Sequence, residues 1–138
     1  MAVTSQGEGM GIAEANLLAG WIGMLGGVVS GATIGLWFHQ EQWMGGYGSF
    51  RRRLTRLGHI SFFGLGFLNL LYGLSLKAIP IAAPHALIAS AGLIVGAVTM
   101  PLCCFLAAWR PGLRRLFPIP VVSVGGGIVA LLAGWPPA

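Results

Sequence analysis

His39, His59, Met100, Cys103 and Cys104 carry the side chains of this chain best suited to holding a metal. Imidazole nitrogens beside soft sulfur donors suit copper, and two imidazoles can ligate a haem iron. The usual metal-binding spacings, Cys-x-x-Cys or His-x-x-x-His, are absent, so the fold itself would have to assemble such a site. His39 and His59 fall at adjoining ends of two apolar segments. The Met–Cys group lies in a third, beside Pro101. Side-by-side packing of these segments would bring the set together. Adjacent cysteines do not suit an unstrained disulfide with each other.

Acid–base chemistry has less to work with. The acidic residues are Glu8, Glu14 and Glu41, and none lies midway along an apolar segment. Proton-coupled transport usually needs an ionisable group at depth. No nucleophile stands with a base, and no carboxylate pair exists, so enzymatic activity is not expected. Among the polar residues in apolar segments, Ser30, Thr33, Ser61, Ser90, Thr99 and Ser123 can bond to a carbonyl of the preceding turn. Asn69 cannot do so fully, and its amide calls for a partner on another helix, worth about 1 kcal/mol in lipid.

The elements that position these residues follow from composition. Of 138 residues, 56% are hydrophobic and 8% charged, far from the soluble norm. A bilayer core of about 30 Å requires roughly 20 apolar residues in a helix. The segments 15–38, 57–76, 85–109 and 119–135 meet that requirement. Short connections favour antiparallel neighbours. The expected fold is an all-α membrane protein, one integral membrane domain over 1–138, with four transmembrane helices in an up-down antiparallel bundle.

Arg51, Arg52, Arg53 and Arg56 lie in the loop 39–56, and Arg110, Arg114 and Arg115 in the loop 110–118. Lys77 alone lies at the other end. That bias places both Arg loops in the cytoplasm and both termini outside, in a bacterial-type inner membrane. The net charge of +5 would suggest nucleic acid in a soluble protein. Flanking apolar spans, these arginines are expected to meet lipid headgroups instead, with no nucleic-acid partner. Phe50, Leu54 and Leu57 recur at helical spacing among them, with Ser49 as an N-cap.

Ala19, Gly23, Gly27, Gly31 and Gly35 fall four residues apart in the first segment, and His39 continues the count. Such small residues let helices approach closely in lipid. A four-residue step drifts about 40° around the helix, so one straight partner cannot follow the ladder and at least two are expected. Gly126, Ala130 and Gly134 in the fourth segment, and Gly92 and Gly96 in the third, are expected to pack likewise. Gly66 and Gly73 form a straighter stripe with His59, close to Asn69.

The run from Gly26 to Ala32 is similar to the Gly-rich run of dual-topology fluoride channels, but it has one residue too many and no Arg follows. Small multidrug transporters carry an embedded Glu in the first span, whereas Glu14 falls at an interface. Neither family fits. The leading expectation is a non-enzymatic structural, accessory or assembly subunit of a larger membrane complex, or a homo-oligomer, with no cofactor. The alternative is a haem- or copper-binding electron-transfer or assembly protein using His39 and His59. A passive channel or small transporter lined by Gly and Asn69 is a third.

Overall fold

The computed structural model describes residues 2–137, with side chains from residue 11 onward; Glu8 is outside that range. It is all-helical: α1 Ala2–Phe38, α2 Phe50–Ala78, α3 Ala83–Trp109 and α4 Pro118–Ala133, with short 3-10 turns at Trp43–Gly45 and Pro111–Leu116. Gly11–Phe38, Phe50–Ala78, Ala83–Trp109 and Pro111–Ala133 are each long and apolar enough to cross a bilayer. The chain is therefore an integral membrane protein in contact with lipid.

Local chemistry sets the boundaries. Between α1 and α2 the backbone takes positive φ at Met44 (57°), Gly45 (90°) and Gly46 (91°), reversing the chain in a few residues. Ser49 caps α2, its Oγ accepting from Arg52 N at 3.2 Å and donating to Met44 O at 2.8 Å. The arginine run is thus the first turns of α2 rather than a loop. Ile79, ahead of Pro80, is extended and ends α2. Proline in the first turn opens both α3 and α4, where its missing N–H costs nothing.

The helices pack in chain order: α1 on α2, α2 on α3, α3 on α4, with a smaller contact between α1 and α3. The four helices are thus packed sequentially as the up-down reading expects, with the main packing of α4 on α3. The three main contacts join successive antiparallel helices. Gly20 meets Gly66, and Gly31 meets His59. Likewise Gly92 meets Gly127, and Gly96 meets Val124.

The packing period differs from the four-residue ladder. The covered positions of α1 are Ala13, Asn16, Gly20, Gly23, Gly27, Ser30 and Ile34, alternating steps of three and four. The α2 face opposite is Arg52, Thr55, His59, Phe62, Gly66, Asn69 and Gly73, with the same alternation. A heptad drifts only about 20° per seven residues, so two helices with a shallow crossing stay in register along their length. The ladder meets this seam at Gly23, Gly27 and Gly31, the last packed on His59, and leaves it at both ends. Gly20 takes over from half-buried Ala19, and Ile34 from Gly35, around which a Cβ would meet open space. On α4 the seam is Pro120, Ser123, Gly127, Ala130 and Gly134. Gly126 is one position off it and faces away from α3.

These contacts bring backbones together. A Cβ on Gly73 would lie 2.8 Å from Ala13 O, one on Gly66 3.0 Å from Gly20 O, and one on Gly92 2.5 Å from Ser123 O. In lipid no apolar driving force favours helix over acyl chain, so such close packing supplies the association energy.

Candidate functional site

Two polar constructions stand out. One is the arginine-rich end and the other a buried amide network towards the opposite end.

At the arginine-rich end, Arg52 is 2% exposed. Its guanidinium donates to the carbonyls of Phe38, Gln40 and Glu41, the last turn of α1 and the residues beyond it. Helix C-termini leave carbonyls unpaired and carry partial negative charge, and Arg52 answers both. Aromatic rings sheathe the cation: its Cζ lies 4.4 Å from the Phe38 ring centroid, 5.3 Å from Tyr47 and 5.6 Å from Trp43. Glu41, the acid in this loop, contributes its backbone carbonyl. Arg52 is therefore not a headgroup anchor, because it is buried and both terminal nitrogens are spent on chain carbonyls, while its buried Nε has no partner. Arg51 donates to Ala108 O at 2.9 Å, tying the start of α2 to the end of α3. Arg56 stacks on Tyr47 at 4.7 Å, and Arg110 on Trp109 at 5.4 Å. Arg53, Arg114 and Arg115 are exposed, as headgroup contact requires.

Next to this clamp, α1 and α2 part to leave a groove of about 410 Å³. Gly31, Ile34, Gly35, Phe38 and Ile60 line it. Arg56 stands at the outer end and His59 at the deep end. His59 Nδ1 lies 3.1 Å from Ser30 Oγ, and the Ser30 hydroxyl donates to Gly27 O at 3.0 Å. This pairing holds the imidazole against α1. The Phe63 ring meets the imidazole edge-on at 5.5 Å.

The second construction joins three helices. Asn16 Nδ2 donates to Asn69 Oδ1 at 2.8 Å, and Ser90 Oγ donates to Asn16 Oδ1. Asn69 Nδ2 also donates to Leu65 O at 2.9 Å and Leu93 O at 3.2 Å. One turn away, Tyr72 O–H donates to Ala86 O at 2.6 Å. Asn16 and Asn69 are fully buried. Asn69 thus finds its interhelical partner, and α1 reaches its second neighbour, α3, through Asn16 rather than through the glycine ladder. A cleft of about 1360 Å³, lined by Glu14, Lys77 and Ser90 among others, opens at this end.

Among the described residues no group of three or more His, Cys, Asp or Glu is placed to hold a metal. His39 is exposed beyond the end of α1, while His59 is turned onto Ser30 and Gly31. Cys103 points to Leu116 O at 3.7 Å and Cys104 packs against Gly58; both are buried free thiols. Met100 is half-buried on α3. Adjacent residues on a helix diverge by about 100°, so the cysteine pair faces two neighbours rather than one site.

Sequence reasoning missed Asn16, Gly20 and Gly127, and it misassigned Arg52. The signal for the first three was alternating three-and-four spacing, from Asn16 through Gly20, Gly23 and Gly27 on α1 and from Pro120 through Ser123, Gly127 and Ala130 on α4. The chain matches no known protein-family profile, no curated protein and no solved structure.

Proposed function

We propose that this chain is a non-enzymatic membrane scaffold: a small accessory or assembly subunit whose outward helix faces pair with further transmembrane helices, of other subunits or of a second copy. In this reading it resides in a bacterial inner membrane, with the arginine-rich turns cytoplasmic and both termini outside. The observation that carries it is the state of α4. That helix packs mainly on α3, and among the described residues no atom beyond its own helix backbone and chain neighbours comes within 4 Å of a Cβ at Gly125 or Gly126. Glycine on a lipid-facing surface weakens a helix and packs poorly against acyl chains. It becomes useful when another backbone comes close. The polar groups support a scaffold as well. Arg51, Arg52, Asn16, Asn69 and Ser90 are spent on holding helices together.

The test is the composition of the particle in mild detergent. Wild type should migrate as a homo-oligomer or with stoichiometric partners, and Gly126→Leu should release the chain while leaving its fold intact. A wild-type monomer indistinguishable from Gly126→Leu would exclude the proposal.

A further inference from the structure

We propose that the groove between α1 and α2 beside Arg56 is a binding site for one anionic phospholipid. Its acyl chain lies over Gly31 and Gly35, and its phosphate pairs with the Arg56 guanidinium. The volume, about 410 Å³, falls within the range of small-molecule sites, about 300–1,000 Å³. From Gly31 to Phe38 the groove runs about 11 Å along α1, against about 15 Å for one leaflet's hydrocarbon. The groove therefore covers about two thirds of one chain from the adjoining leaflet, with its head at the level of the arginines.

The walls are apolar except at the two ends, which fixes the polarity of the ligand. At the outer end stands a cation held against Tyr47, whose ring orients the guanidinium without neutralising it. At the other end His59 is held in place by its hydrogen bond with Ser30. A neutral chain would satisfy the walls but not Arg56. A free phosphate would satisfy Arg56 but leave the walls empty. An anionic amphiphile satisfies both. The Arg52 clamp gives the site its rigidity, since Phe38 is at once a wall of the groove and a residue that Arg52 grips.

The experiment uses the full chain in detergent, exchanged into mixed micelles containing either dioleoylphosphatidylglycerol or dioleoylphosphatidylcholine, with retained lipid read by native mass spectrometry. Wild type should saturate at one phosphatidylglycerol per chain under conditions that strip phosphatidylcholine. Arg56→Gln should weaken retention about fivefold, the worth of one arginine near an anionic headgroup. Gly35→Leu should abolish it without lowering the melting temperature, because a Cβ there meets nothing within 4 Å. Lys77→Gln, at the opposite end, should retain lipid as wild type does. Equal retention of both lipids, or undiminished retention by Arg56→Gln, would overturn the proposal. So would a Gly35→Leu variant that keeps its lipid but loses an oligomer, which would identify the occupant as a second chain.

Discussion

Arg52 closes the C-terminal end of α1 by donating to the carbonyl of Phe38, fourteen residues back in the chain, while stacking on the Phe38 ring. One side chain thereby fixes where α1 stops, how the connection turns and where α2 begins. The cation is buried without a carboxylate, so its compensation comes from carbonyl dipoles and aromatic faces. Arg52→Gln should lower stability by about 2 kcal/mol or more, the worth of charge-assisted hydrogen bonds lost to buried carbonyls. Arg52→Lys should fail to restore it, since an ammonium cannot span the same carbonyls as a planar fork. Melting temperatures in detergent check this, with Arg53→Gln, an exposed neighbour, expected within about 0.5 kcal/mol of wild type.

Asn16 and Asn69 act as one unit across the α1–α2 seam. Each single change to Leu should cost about 0.5–2 kcal/mol, and the double variant should cost less than the sum. Reversible unfolding in mixed micelles, run as a double-mutant cycle, measures the coupling. Strict additivity would mean that the hydrogen bond between them contributes nothing.

The α3–α4 seam predicts different outcomes for a glycine on it and a glycine that faces away from it. Gly92→Ala places a Cβ 2.5 Å from Ser123 O and must push α3 from α4, at about 1–3 kcal/mol. Gly126→Ala has open space and should leave the melting temperature unchanged. Equal effects of the two substitutions would show that the register of α4 on α3 is different.

The topology proposed from arginine placement also has a direct check. Reporter fusions at the C-terminus should be active only in the periplasmic format, and a reporter inserted at Gly112 only in the cytoplasmic one. The opposite pattern would invert the assignment of both faces.

Much of this was legible in the sequence, and the rest was hidden for identifiable reasons. Four apolar helices followed from length and hydropathy, and the Ser49 cap from a serine placed before a helical pattern. Asn69 was recognisable because an amide in lipid must be paired. Its partner was not, because Asn16 falls near the start of a span, where a polar residue reads as interfacial. The glycines misled by abundance. A run of four-residue steps is conspicuous by eye, yet the seam follows the three-and-four alternation that keeps two helices in contact. The ladder therefore loses Gly35, and the α4 pattern is shifted from Gly126 to Gly127. Arg52 was indistinguishable from Arg51 and Arg53 by composition. Only the direction of each side chain on α2 separates the clamp from the headgroup anchors.

The most direct test of the scaffold proposal is the mass of the wild-type particle beside that of Gly126→Leu, in nanodiscs and in mild detergent. A multi-chain or partner-bound wild type, reduced to a folded single chain by Gly126→Leu, is the expected result. A single-chain wild type whose mass and melting temperature are untouched by Gly126→Leu would contradict it.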